Sequence, residues 1–172
     1  MAMAYILGFP LVVRAVVFDV DGVLIDSSAR FRVCLEEVGL KDLSKARGLR
    51  RRLFWECFLS SRYIHLDRVR ADMAGVALDY ARRGYKVIVV TGRPKTMERE
   101  TLEQLREAGL TDVEVYFRRP GDYRSDEEYK LEVIRKLLTK YEIEAVYDDS
   151  ETVIRAIKRE LPEIKAILVA PP

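Results

Sequence analysis

The segment Val12–Phe18 (VVRAVVF) is almost unbroken in apolar, β-branched residues, and it stops abruptly at Asp19-Val20-Asp21-Gly22. A strand that is apolar on both faces has to be covered on both faces. That commits the chain to a parallel sheet buried between helices rather than to an open antiparallel one. Four further runs fit the same sheet: Lys86–Val90, Val113–Phe117, Ala145–Tyr147 and Ala166–Val169. Helical stripes separate them. Val69, Met73, Val76, Ala77 and Tyr80 form one, Ile134, Leu137, Leu138 and Tyr141 a second, and Val153, Ile154 and Ile157 a third. Gly84 and Gly109 stand where helices should stop. Strands alternating with helices predict a doubly wound α/β fold with a five-stranded parallel, Rossmann-like sheet. A chain of 172 residues suits a single domain of this kind.

The alternation fails between Asp26 and Leu66. Phe31, Cys34, Leu35 and Val38 make one helical stripe there, and Leu49, Leu53 and Cys57, with Phe54 and Phe58 beside them, make another. The reading is a core of residues 1–26 and 66–172 with a small helical cap inserted at 27–65. From Lys41 to Arg70 there are nine Lys or Arg and three Asp or Glu, a balance of +6, while the whole chain carries only +2. The densest cluster is Arg47, Arg50, Arg51 and Arg52.

Open parallel sheets bind ligands beyond the carboxyl ends of their strands. Asp19, Asp21 and Gly22 follow the first strand, Thr91, Gly92 and Arg93 the second, and Asp148 and Asp149 the fourth. Any one of these aspartates could simply begin a turn, and Asp148-Asp149 could cap the helix that starts near Glu151. Capping does not account for four carboxylates gathered at one edge. Like charges so placed call for a cation. An all-oxygen ligand set of Asp19, Asp21, Asp148 and Asp149 favours a hard ion such as Mg²⁺. A carboxylate facing a metal-held phosphate is a credible nucleophile, and a second one nearby can pass protons.

These segments, FDVDGVL (18–24), VVTGR (89–93), Lys130 and YDD (147–149), resemble the four motifs of the haloacid dehalogenase superfamily. Their order and spacing match, over about Val12 to Val169. The resemblance implies that Asp19 attacks phosphorus and forms an aspartyl-phosphate. It makes Asp21 the acid and then the base, and lends its carbonyl to Mg²⁺. Thr91 and the backbone after it, Gly92 included, would hold phosphate oxygens. Lys130 would neutralise charge, and Asp148 and Asp149 would hold the metal. An acid two residues after the nucleophile resembles the phosphatase branch, because expelling an alkoxide needs a proton and expelling a halide does not.

The stretch RRPGDYRSDEEYK (118–130) resembles the approach to the lysine in 3′-phosphatase domains of the polynucleotide kinase family. That likeness implies substrate contacts from Arg119 and Arg124, and from Arg93 near the phosphate. Ser150 departs from it, since an arginine is expected after the aspartate pair. The basic insertion fits an anionic substrate, with Phe54 and Trp55 available to stack on a base. The expected substrate is a nucleotide or a nucleic-acid 3′-phosphate end. A sugar-phosphate phosphatase and a non-catalytic phosphate- or phospholipid-binding domain are the alternatives. The intact Asp19–Asp21 pair speaks against the last, because binding alone needs no proton donor.

Composition removes other classes. One His and two Cys outside any CxxC pair leave no zinc site. Cys34 and Cys57 read as buried free thiols of a reducing cytosol, with a disulfide as the alternative. His65 is not needed by this chemistry. No apolar run approaches a membrane span, and the start lacks the pattern of a signal peptide, so a cytoplasmic protein is expected. The chain has no Asn and a single Gln, Gln104, with abundant Arg and Glu, a composition resembling that of heat-adapted proteins.

Overall fold

The computed structural model describes residues 5–6 and 9–172, with side chains from Leu11 onward. Its centre is a parallel sheet of β1 (Val13–Phe18), β2 (Lys86–Pro94), β3 (Glu114–Arg118), β4 (Tyr141–Asp148) and β5 (Lys165–Leu168), in the order β3-β2-β1-β4-β5. Among the described residues six α-helices accompany it: α1 (Ser28–Glu37), α2 (Gly48–Phe58), α3 (Ala71–Arg82), α4 (Glu98–Glu107), α5 (Asp126–Leu137) and α6 (Glu151–Glu160).

The period of two along β1 explains the layers. Val16 and Phe18 face a cluster with Met73, Ala77 and Tyr80 of α3 and Leu105 of α4. Ala15 and Val17 face Ile134 and Leu137 of α5 and Val153 and Ile157 of α6 on the other side. Phe18 lies in register with Val89 of β2 and with Tyr147 of β4. The residues just past that level are therefore Asp19, Val90-Thr91 and Asp148, side by side at one sheet edge.

Two strands are longer than the sequence suggests. β4 begins at Tyr141, not Ala145, because Glu142 and Glu144 break its apolar run. Glu144 accepts from Arg14 (2.7 Å) and from the Tyr85 hydroxyl (3.0 Å) at the opposite end of the sheet. β2 runs on through Thr91, Gly92 and Arg93 to Pro94, with a register shift between Val90 and Pro94 against β3. The three motif residues therefore sit in an irregular strand end, where a local bend can re-aim side chains.

Ile25–Asp26 pairs antiparallel with Arg68–Val69 and brackets α1 and α2. Strands of two residues leave no periodicity, so this pairing has no sequence signature. Arg70 fixes the same neck, donating to the carbonyls of Gly22 (2.9 Å) and Ala170 (2.7 Å).

Helices α1 and α2 pack around their own apolar cluster of Cys34, Phe54, Cys57 and Phe58. Two expectations are corrected there. Cys34 and Cys57 are not free thiols but form a disulfide, with Cα atoms 5.8 Å apart. Each helical stripe is visible in the sequence, but which residues face one another across two helices is not. Phe54 is fully buried against Phe31 and Phe58, so it is not open to stack on a base. Trp55 is half-buried, edge-on to Phe54 and Phe58. Among the described residues no helix is long and apolar enough to cross a membrane.

Candidate active site

Asp19 leaves the end of β1 with its amide held by the Tyr147 carbonyl (3.0 Å). The chain then turns at once: the Gly22 amide bonds the Ile25 carbonyl (2.8 Å), and the Ile25 amide bonds that of Val20 (3.0 Å). Gly22 adopts a φ of 78°, and a Cβ added there would lie 2.0 Å from Asp149 Oδ2. Glycine is required at this position twice over, by conformation and by the approach of that carboxylate.

Asp19, Asp148 and Asp149 each offer an oxygen within 4.8 Å of the others. Three carboxylates from two neighbouring strand ends make a small acidic cluster able to chelate a divalent ion, and oxygen-only donors suit a hard one. The Asp21 carboxylate is not part of it: it is turned to two arginines, which leaves the backbone carbonyl, the atom the resemblance implies, as the Asp21 group that could reach a metal.

Lys130, buried on α5, reaches three carboxylates: Asp148 (2.7 Å), Asp126 (3.0 Å) and Asp19 (3.1 Å). Burial works against its charge, but those three carboxylates outweigh burial and hold its pKa well above the usual lysine value. Asp19 is pushed the other way. Burial raises its pKa well above the carboxylate range, Lys130 opposes this, and Asp148 adds to it. Thinned hydration and then the Asp148 charge bring Asp149 up to about 6. The site thus holds more negative charge than one lysine can balance.

Asp126 opens α5 and belongs to the 118–130 stretch that carries the likeness to 3′-phosphatase domains, although no catalytic or binding role is expected of it. It accepts from Arg118 (2.9 Å), pairs with Lys130, and lies where a Gly92 Cβ would approach to 2.7 Å. The S-x-x-E capping box of Ser125 and Glu128 fixes the helix start beside it.

Asp21 belongs to a closed ring of four charges. Arg30 donates to Asp21 (2.6 Å) and to Asp67 (2.9 Å). Arg93 donates to both oxygens of Asp21 (2.9 and 2.7 Å) and to Asp67 (3.1 Å). Arg93 also donates to Thr101 (2.9 Å) and Gln104 (2.7 Å), and Gln104 in turn donates to Asp67 (3.0 Å). Both arginines are fully buried. Every donor of the Arg93 fork is engaged by protein, so the expectation that its side chain meets the phosphate is corrected: it holds Asp21. Despite a burial penalty, Arg93 and then Arg30 lower the Asp21 pKa to about 2.

That shift has a stability consequence. A carboxyl whose folded pKa lies below its unfolded value stabilises the fold above about pH 4 and loses that contribution as pH falls through 2, here about 2 kcal/mol. The unfolding free energy of Asp21→Asn should therefore approach that of the wild type by about this amount between pH 5 and pH 2. Urea midpoints across that range measure it; a constant gap would show that Asp21 titrates normally.

Thr91 is buried, and its hydroxyl oxygen accepts from the Arg93 amide (3.1 Å), leaving its own O–H to donate elsewhere. Arg124 is exposed and tied to Asp122 and Glu132. Arg119 is exposed on the same loop. Neither makes a contact with the acidic cluster. Ser150, not the aspartate pair, caps α6, and its amide donates to Asp148 Oδ1 (2.9 Å).

The sequence matches the family described as "Polynucleotide kinase PNKP phosphatase domain" over residues 56–171, a span that begins inside α2 and leaves the first motif outside it. No curated protein matches in sequence. Among solved structures, the chain is similar to one in the Pnkp1/Rnl/Hen1 complex, with a TM-score of 0.65 and 24% identity. It covers 92% of the present chain and 46% of the other, so this chain spans about half the length of that relative. It is also similar to a haloacid dehalogenase-like hydrolase from Streptococcus pneumoniae (TM-score 0.64, 13% identity, 91% and 84% covered). A third similar structure is CbbY from Rhodobacter sphaeroides in complex with phosphate (TM-score 0.58, 18% identity, 93% and 87% covered).

Proposed function

The chain belongs to the polynucleotide kinase phosphatase-domain family of haloacid dehalogenase hydrolases, and we propose that it is a Mg²⁺-dependent phosphomonoesterase acting on a nucleotide or nucleic-acid 3′-phosphate through an aspartyl-phosphate. The observation that carries this reading is the meeting of Asp19, Asp148, Asp149 and Lys130 at one strand edge.

Asp19 is the nucleophile. Its carboxylate attacks phosphorus in line with the leaving oxygen, and the mixed anhydride so formed is later hydrolysed by water. A divalent ion held by Asp19, Asp148 and Asp149 would supply the positive charge that keeps Asp19 ionised and lets an anionic phosphate approach it. Lys130 contributes a fixed positive charge between Asp19 and the phosphate. The Thr91 hydroxyl and the Gly92 amide donate to phosphate oxygens, as preorganised donors do where charge accumulates. Asp21, ionised in its arginine clamp, is placed to take the proton from the attacking water, but a carboxylate held at a pKa of about 2 becomes an effective base only when the phosphate raises it. For it to protonate the leaving group, the incoming phosphate dianion must first raise its pKa, which charge repulsion does.

The nucleic-acid reading rests on the family match and on the outer face of α2. Arg50, Arg51 and Arg52 are exposed there, although Arg52 pairs with Glu56 and Arg51 lies 5.9 Å from the Trp55 ring centre. Residues 27–65 are proposed as a cap beside the site mouth. The test is turnover of a 3′-phosphorylated oligonucleotide, a nucleotide and a sugar phosphate, with Mg²⁺ and with chelator, across a salt series. Turnover should vanish with chelator. On the oligonucleotide, affinity should fall with salt at a log–log slope of about −0.7 for each backbone phosphate contacted, and Arg50→Ala/Arg51→Ala/Arg52→Ala should flatten it. A salt-independent preference for the sugar phosphate would favour a metabolite phosphatase instead.

A further inference from the structure

We propose that the Cys34–Cys57 disulfide is a redox-sensitive tie that sets Arg30, and through Arg30 the carboxylate of Asp21. Its effect on turnover rests on the part given to Asp21 above; its effect on structure does not.

The geometry couples the two links. Arg30 and Cys34 are four residues apart on α1 and therefore share a face, one turn from each other. On α2 their partners are adjacent: Cys34 is bonded to Cys57, while Arg30 Nη1 donates to the carbonyl of Phe58 and the guanidinium lies 4.3 Å from the Phe58 ring centre. The Phe58 carbonyl belongs to the last turn of α2, where carbonyls lack partners inside the helix. The rest of the Arg30 fork goes to Asp67 and Asp21. The covalent bridge and the arginine are thus parallel struts between the same two helices, one turn apart, and the second ends on the residue two positions beyond Asp19.

Reduction leaves Cys34 no room to move. Two thiols separate from bonding to van der Waals distance, about 3.5–4 Å, inside a cluster where Cys34 and Phe54 are fully buried. Close-packed side chains transmit such a change rather than cushion it. In this proposal the separation is taken up by the end of α2, which carries the Phe58 carbonyl with it, and not by Cys57 alone turning into the cleft it lines.

The bridge can be reached from outside. Cys57, though only 7% exposed, lines a surface cleft of about 530 Å³ together with Glu37, Val38, Leu53, Glu56 and Ser60, whereas Cys34 is sealed. A thiolate from a small dithiol attacks Cys57 Sγ and forms a mixed disulfide, and Cys34 leaves as thiolate. The second thiolate of the reductant then displaces Cys57. The reductant ends as a cyclic disulfide, and each cysteine takes up one proton.

The experiment compares oxidised protein with protein reduced by dithiothreitol, alkylating the released thiols to confirm that two have formed. Turnover of an aryl phosphate is one readout, and amide hydrogen exchange over residues 28–37 is another that needs no activity. Reduction should lower kcat about 10- to 100-fold, the cost of a small misplacement near the chemistry, leave KM and far-UV circular dichroism unchanged, and speed exchange in α1. Reoxidation should restore all of it. Cys34→Ala/Cys57→Ala should match the reduced protein and ignore dithiothreitol. In Arg30→Met, where the connection is already cut, reduction should lower kcat no further. Unchanged exchange and kcat in the reduced, folded protein would overturn the proposal. So would global unfolding on reduction, or equal losses in Arg30→Met and wild type. If no phosphate ester is turned over in either state, the phosphatase reading fails and exchange alone decides for or against the tie.

Discussion

Asp19→Asn should lower kcat on any phosphomonoester by at least about 10³-fold, as loss of an attacking group does, and in chelator-treated protein it should not lower the melting temperature. The two effects share one cause. Burial and the neighbouring carboxylates raise the pKa of Asp19, so its charge is unfavourable in the folded protein. An amide of nearly the same shape removes that charge and its cost together with the nucleophile. Measuring kcat and thermal unfolding on the same preparation checks both. A variant that stays folded and retains activity near that of the wild type would remove Asp19 from the chemistry. A variant that unfolds more easily would mean that the carboxylate is compensated by contacts beyond Lys130.

Arg93→Met should be the most destabilising single change at the site, costing about 3–5 kcal/mol, because it leaves buried Asp67 and half-buried Asp21 with half their positive charge. For a chain of this length that is a fall in melting temperature of roughly 10 °C. Arg93→Lys should recover only a part, since one ammonium cannot reproduce a fork that serves Asp21, Asp67, Thr101 and Gln104 at once. Thermal and urea unfolding of the three proteins decide it. A Lys variant as stable as the wild type would show that charge alone, and not the geometry of the fork, holds this part of the molecule together.

The sheet could be read from the sequence because its central strands, Val13–Phe18 and the Lys86–Val90 part of β2, are buried on both faces and so carry nearly continuous apolar character, while the less buried Glu114–Arg118 and Lys165–Leu168 keep short apolar runs at the spacing of the alternation. The carboxylates at its edge could be read because the end of a strand is a position, and positions follow from strand assignments. What could not be read is whatever depends on two segments meeting. Arg30 lies in an ordinary helical stretch and resembles a solvated surface residue, yet it is fully buried. Asp67 follows a short 3₁₀ turn with nothing to mark it. The same holds for the partner of each cysteine. Arg93 was noticed for its motif, but the direction of its side chain depends on Thr101 and Gln104 of α4, a helix whose facing residues the sequence does not declare. Gln104, the one Gln of a chain without Asn, is half-buried and bonds both Arg93 and Asp67.

The ring of Asp21, Arg30, Asp67 and Arg93 bears on how such a chain can diverge. Its four charges alternate and sum to zero, so losing any one member strands an opposite charge in the interior. Losing an acid and a base together does not. Lineages descended from a common ancestor should therefore keep all four or replace them in opposite-signed pairs, and a sequence with three of the four should be rare. Positions 30 and 67, separated by the whole length of two helices, would then drift in step, and that correlated history would be visible without any structure.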